Sequence, residues 1–260
     1  MWTSARGTWV FSSVPIVTQV SFAQLFVAES LATLREVVLS PLDLATVVPS
    51  ARAGDDVVVL VHGFFATAGV FRPLRARLER EAGARVATFT HAPGVRIRRI
   101  ARNLARLVEQ IPRGTRITIV GHSLGGVVAR WYVQEIAGHA RIARTISLGS
   151  PFHGIDVPPF LVGADLNPRS SLLRRIRDRA RDSPVPHTSI VAAEDRLVPG
   201  IATACLGVGD VVVLEGRGHN ALLFDDEVAG LVIDRVRAPG VLPGEVDEAL
   251  LLHEAPATAL

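Results

Sequence analysis

Runs of aliphatic residues with no polar break recur along this chain, and stretches of helical period separate them. The purest is "VVVLV" at 57–61. A strand with one face in water alternates apolar and polar residues, whereas a run that is apolar at every position suits a strand buried on both faces. "ARVATF" (84–89), "RITIV" (116–120), "ARTISLG" (143–149), "TSIVAA" (188–193) and "VVVLE" (211–215) read as further strands. Between them, "VFRPLRARLERE" sets Phe71, Leu74 and Leu78 on one helical face with arginines elsewhere. "RIRRIARNLARLVEQI" spaces Ile97, Ile100, Leu104, Leu107 and Ile111 by three or four, another helix begins at Ser123, and "ALLFDDEVAGLVIDRV" closes the series. Strand and helix taking turns in this way predict an α/β fold, a mainly parallel sheet covered by helices on both faces.

The 260 residues, 48% hydrophobic and 20% charged, suffice for one such domain with a sizeable core. All 28 basic residues are arginine, so the high isoelectric point reflects missing lysines; the formal charge is only +3, and no nucleic-acid partner is expected. The single cysteine, Cys205, excludes an intramolecular disulfide and a multi-cysteine metal site. The domain is expected to span 51–237, with an apolar helical segment at 1–50 and a peripheral tail at 238–260. No charge occurs from Gly7 to Ala28, a length that can cross a bilayer. Ser12, Ser13, Pro15, Thr18, Gln19, Ser21 and Gln24 dilute it, only Arg6 precedes it, and no small-residue cleavage site ends it. It reads as a helix packed on the domain, with membrane-surface contact and a true span or signal as alternatives, in a cytoplasmic or membrane-associated chain rather than a secreted one. Val27, Leu31, Leu34 and Val38 continue a helical period that stops near Pro41. Residues 152–186 interrupt the alternation with a Pro- and Arg-rich insertion of the size of a cap, lid or binding loop. Its basic helix, with Leu172, Leu173 and Ile176 among arginines, suits either a solvated face over the core or a lid that meets anionic lipid.

"GHSLGG" (121–126) sits between a strand and a helix, the setting of a nucleophile elbow. There a serine occupies a strained turn, and glycines at 121 and 125 let neighbouring backbone approach. Ser123 is the candidate nucleophile. A serine hydroxyl needs a base to take its proton, and the base needs an orienting acid. Asp195 in "IVAAEDRLVPG" and His219 in "LEGRGHNALLF" each fall just past a strand, on the sheet edge where Ser123 lies, because parallel strands all end there. Glu194 competes with Asp195 for the acid, while Asp210 precedes its strand and lies at the wrong end. Of the other histidines, His122 sits inside the elbow, His253 in the tail, and His91, His139 and His187 in loops or at strand starts; His153 follows a strand at the same edge but precedes the acid in the sequence and reads as shaping the pocket. Acyl transfer also needs two N–H donors for the developing oxyanion. Leu124, after the nucleophile, and Phe64, after the sharp turn that Gly63 permits, are the candidates; His62 reads as a structural hydrogen-bonder.

"VLVHGFF", "VGHSLGG", "SLGSPFHG", "AAEDRLVP" and "GRGHNALLF" together resemble the successive motifs of bacterial lipases and esterases of the α/β-hydrolase fold, over residues 57–236. The resemblance implies a reduced sheet of about six strands with a cap or lid at 152–186. It implies a serine hydrolase cleaving carboxylic esters of lipids, often at an interface, through Ser123, Asp195 and His219, with Phe64 and Leu124 as oxyanion hole. An acyltransferase or thioesterase with the same triad is the alternative. Phe65, Phe152 and His153 are expected at the substrate pocket, Phe152 standing where these lipases carry a histidine. No cofactor is expected. Some larger relatives hold calcium near the histidine loop, but Asp225 and Asp226 fit a solvated helix face, so no metal is expected either. The expected partner is a lipid or small-molecule ester, with contact to a membrane surface as a possibility.

Overall fold

The structure, a computed structural model, describes residues 22–136, 140–156 and 164–238. Among these, six strands form one sheet: β1 (Asp56–Val61), β2 (Arg85–Phe89), β3 (Arg116–His122), β4 (Ile142–Leu148), β5 (His187–Ala192) and β6 (Asp210–Leu214). Their spatial order is β2-β1-β3-β4-β5-β6, and every pairing is parallel. The chain thus winds outward in one direction from β1 to β2, then crosses back to build the other side.

Strand period assigns the aliphatic runs to two cores. In β1, Val57, Val59 and Val61 enter one apolar cluster, while Val58 and Leu60 enter the other. The first cluster is closed by α3 (Ile97–Gln110), α4 (Leu124–Glu135) and α5 (Ser171–Asp178). The second is closed by α2 (Arg72–Glu81) and α7 (Asp226–Arg237). A one-turn α6 (Ile201–Ala204) follows β5. In α3, Ile97, Ile100, Leu104 and Leu107 are all buried, as their spacing predicts.

The basic helix expected in the insertion is α5, and it works as the crossover layer between β4 and β5. Leu172, Leu173 and Ile176 are buried in the first core. Arg175 and Arg179 pair with Glu135 of α4 at 2.8 and 3.2 Å, and Gln134 donates to the Ile176 carbonyl at 3.1 Å. The cap or lid expected at 152–186 also includes residues 157–163, which lie outside the described residues.

The N-terminal helix, α1 (Phe22–Leu39), lies against the 3₁₀ turns Ala68–Phe71 and Asn220–Leu223 at the carboxyl edge of the sheet. Its C-terminus is fastened there. The Thr67 hydroxyl bonds the Ser40 and Leu42 carbonyls, and Arg72 forms a two-pronged pair with Asp43. Gly69 is required at this junction, because a Cβ would meet the Leu39 carbonyl oxygen at 2.1 Å. The apolar stripe of this helix faces outward. Phe26, Val27, Leu31, Leu34, Val37 and Val38 are 53–63% exposed, and among the described side chains of the helix only Ala32 is buried. No described helix is long and apolar enough to cross a membrane.

Candidate active site

The elbow is strained in the way its sequence predicts. Ser123 has φ 52° and ψ −120°, a region side-chain-bearing residues rarely occupy. Close backbone approach explains the glycines around it. A Cβ at Gly125 would meet the Val61 carbonyl oxygen at 2.0 Å, and one at Gly121 would meet the Gly126 nitrogen at 2.3 Å. Gly126 adds a third requirement, since its Cβ would lie 2.1 Å from the Ser150 hydroxyl. Ser123 N–H donates to the Leu148 carbonyl at 2.9 Å, tying the turn to the end of β4.

Asp195 and His219 meet at the same edge. His219 Nδ1 lies 2.7 Å from Asp195 Oδ2, and both residues are buried. The other carboxylate oxygen, Oδ1, accepts from the N–H groups of Leu197 (2.9 Å) and Val198 (2.7 Å). The carboxylate is therefore fixed from both sides, and it directs the His219 proton to Nδ1. Glu194, the competing acid, turns away and accepts from the N–H groups of Gly216 and Arg217. Two residues that sequence reasoning passed over build the pair's surroundings. Gly149, at φ 57°, forms its floor: a Cβ there would stand 3.2 Å from Asp195 Oδ2 and from His219 Nδ1. The other is His122, whose Nε2 donates to the His219 carbonyl at 3.2 Å and whose ring lies 4.7 Å from the His219 ring. Among the described residues the Ser123 hydroxyl has no hydrogen-bond partner, so the serine-to-imidazole link is open. Such links commonly tighten only when substrate is bound.

Leu124 opens α4, and its N–H is one of the four that a helix leaves without an internal acceptor. No described acceptor takes the Phe64 N–H. The turn carrying Phe64 is held by His62, which donates from Nδ1 to the Gly63 carbonyl (2.8 Å) and accepts the His91 N–H at Nε2 (3.1 Å). Its ring stacks on His91 with centroids 3.9 Å apart. The expected pocket residues are dispersed. Phe152 is fully buried in the first core, edge-on to His187, because the turn after β4 points it under α5. His153 is exposed, and Phe65 is 66% exposed at φ 60°. Two cavities flank the site instead. One of about 540 Å³ is lined by Leu25, Phe26 and Glu29 of α1, Leu197 and His219; one of about 290 Å³ is lined by Phe64, Leu124, Val95 and Ile97.

Among the described residues no group of His, Cys, Asp and Glu side chains gathers in a way that could hold a metal ion. Asp225 caps α7, accepting from the N–H groups of Glu227 and Val228, and pairs with Arg217. Three buried histidines outside the Asp195–His219 pair, His62, His122 and His187, are held neutral. Burial first, and the neighbouring His91 second, push His62 down to about 3, and burial pushes His122 and His187 far below the usual imidazole range. Unfolded, each takes up a proton near pH 6.5; folded, His62 does not until about pH 3. Stability contributed this way is complete above about pH 7.5 and declines as pH falls through 6.5. His62 alone is expected to cost about 2 kcal/mol at pH 5, with His122 and His187 adding in the same direction. Urea unfolding at pH 8 and pH 5 checks this; equal midpoints would contradict it.

The family described as palmitoyl protein thioesterase matches residues 57–194, more than half of the chain, from β1 to just before Asp195. Among solved structures, the mature lipase BlEst2 of Bacillus licheniformis is similar with a TM-score of 0.59 at 13% identity, over 73% of this chain and 95% of that one. Est1E of Butyrivibrio proteoclasticus, solved with ferulic acid bound, gives 0.52 at 17% identity, over 74% and 91%. The thioesterase domain of the curacin biosynthetic pathway gives 0.53 at 12% identity, over 72% and 92%. The fold these structures share is the α/β-hydrolase fold.

Proposed function

The chain belongs to the palmitoyl protein thioesterase family, an α/β-hydrolase family, and from this premise we propose that it hydrolyses acyl esters or thioesters through an acyl-enzyme on Ser123. The observation that carries the reading is the buried Asp195–His219 pair at the sheet edge that also bears the strained Ser123. In the proposed reaction, Ser123 Oγ attacks the acyl carbonyl carbon while His219 Nε2 takes its proton. Asp195 keeps the other imidazole proton on Nδ1 and steadies the imidazolium. The Phe64 and Leu124 N–H groups receive the negative oxygen, a contribution of about 3 kcal/mol for each such donor. The leaving alcohol or thiol accepts the proton back from His219. Water then repeats the sequence on the acyl-enzyme.

The apolar wall of Leu25, Phe26 and Leu197 beside His219 supports a substrate with a long apolar portion. Beyond α1, the exposed large apolar side chains are Leu44, Phe65 and Leu197 in loops and Ile201 at the start of α6, the last three following the carboxyl ends of β1 and β5 at this edge. Their concentration there supports contact with a lipid surface that presents the substrate.

The test is a series of p-nitrophenyl esters and acyl thioesters of graded chain length, assayed with and without detergent micelles. Hydrolysis of both classes is expected, rising beyond the shortest chains and in the presence of micelles. No turnover of any member, together with no covalent labelling by a fluorophosphonate, overturns the reading. Adding a competing alcohol and analysing products distinguishes hydrolysis from acyl transfer, which the same triad could perform.

A further inference from the structure

We infer that Glu29, on α1, is a positioning residue for His219 and acts through the main chain of the turn that begins at that histidine. The inference rests on the reading of His219 as the catalytic base.

The Glu29 carboxylate accepts the N–H of Asn220 at 2.8 Å through one oxygen and the N–H of Ala221 at 3.1 Å through the other. These are the first two N–H groups of the 3₁₀ turn Asn220–Leu223, which such a turn cannot satisfy internally. Glu29 therefore caps the turn from a helix 191 residues earlier in the chain. A second bond runs beside it, from the Asn220 side-chain amide to the Thr33 hydroxyl at 3.2 Å.

The way α1 is seated gives these bonds their weight. An amphipathic helix docks by burying its apolar stripe and leaving its polar face in water. Here Glu29, Thr33 and Glu36, at i, i+4 and i+7, face inward, while six large apolar residues face out. Apolar burial thus contributes little to seating α1 over this turn; the polar stripe, aimed at the residues after His219, holds it. Glycine at 218 fits the same picture. A Cβ there would stand 2.3 Å from the Glu29 carboxylate, so the residue before His219 must lack a side chain for Glu29 to reach its place. With Asp195 holding the ring and Glu29 holding the main chain, both ends of His219 are set. A base displaced by about 1 Å from its serine can lose on the order of 100-fold in rate.

The experiment measures p-nitrophenyl acetate hydrolysis and the rate of fluorophosphonate labelling, because an acetyl group is too short to depend on the wall of the neighbouring cavity. Glu29→Ala is expected to lower kcat and labelling roughly 10- to 100-fold with KM within about twofold. Glu29→Gln, which fills the same space but offers one acceptor oxygen in place of two, is expected to fall between it and the parent, with an unchanged melting temperature. Gly218→Ala, which displaces Glu29 without altering it, is expected to reproduce the Glu29→Ala loss, and the double variant to be no worse than either single one. The inference is overturned by Glu29→Ala and Glu29→Gln both within twofold of the parent. Multiplying losses in the double variant, or losses matched by an equal fall in the fraction of folded enzyme, overturn it as well. A fully active Glu29→Ala beside an inert Ser123→Ala removes this inference alone; an active Ser123→Ala removes the mechanism beneath it.

Discussion

Ser123→Ala is expected to lower ester hydrolysis by roughly 10⁴- to 10⁶-fold and to abolish fluorophosphonate labelling, with the protein still folded. The expectation follows from what the side chain does and does not touch. The Ser123 hydroxyl has no hydrogen-bond partner among the described residues, so its removal leaves no buried group unsatisfied. The strain of the elbow lies in the backbone at φ 52°, and alanine, which keeps the Cβ, keeps that strain. The ladder bond from residue 123 to the Leu148 carbonyl and the glycine contacts beneath it are also unchanged. Near-parental stability with near-zero turnover is thus the expected combination, measured by thermal unfolding and by initial rates on a p-nitrophenyl ester. Activity within tenfold of the parent would falsify the acyl-enzyme. The oxyanion hole and substrate binding remain in this variant, so a small residual rate above water is consistent with the mechanism.

What the sequence disclosed and what it hid divide along a physical line. Local period and local strain were legible. The β1 run "VVVLV" predicted burial on both faces, and the two cores divide its residues as a strand must. The spacing of Gly121, Ser123 and Gly125 predicted an elbow, and the approach of the Val61 carbonyl to Gly125 explains it. Edge placement was legible too, because parallel strands bring their carboxyl ends together; it narrowed the acid to Glu194 or Asp195, with Asp195 favoured, but held no local signal that decides between them. The choice depends on which way each of two adjacent side chains points in a loop, and there is no period in a loop to read.

Contacts made across long sequence separations were hidden. Phe152 was expected at a pocket because it stands where the lipases that the chain resembles carry a histidine, yet the turn after β4 sends it under α5 into the core. Val27, Leu31, Leu34 and Val38 mark a helix correctly, but the side of α1 that meets the domain is the polar one. Helical period says that a stripe exists, not what faces it. Glu29 lies in a stretch whose other residues suggest only a membrane or a core, and its partners Asn220 and Ala221 offer main-chain N–H groups that have no letter in the sequence. The glycine at 218 was the available signal, though it becomes readable only once the helix above it is known.

Asp195→Asn is expected to lower kcat/KM by roughly 10³- to 10⁴-fold while changing the melting temperature little. The substitution is close to isosteric, and its effect is decided by the two backbone N–H groups that converge on Oδ1. Those donors, from Leu197 at 2.9 Å and Val198 at 2.7 Å, require an acceptor at that position. The introduced side-chain amide must therefore put its oxygen there and turn its NH₂ toward His219. Carboxylate and ring are now 2.7 Å apart, and an NH₂ group in that place calls for a lone pair on Nδ1, which moves the imidazole proton to Nε2. In that tautomer the nitrogen nearest the serine already carries a proton and cannot take another. The defect is thus one of proton placement in a folded site, and Glu194→Gln serves as its control. Glu194 faces the N–H groups of Gly216 and Arg217 and never meets the ring, so that variant is expected to stay within a few-fold of the parent. Equal losses in the two variants, or a loss at Asp195 smaller than tenfold, would show that the imidazole is not oriented by this carboxylate.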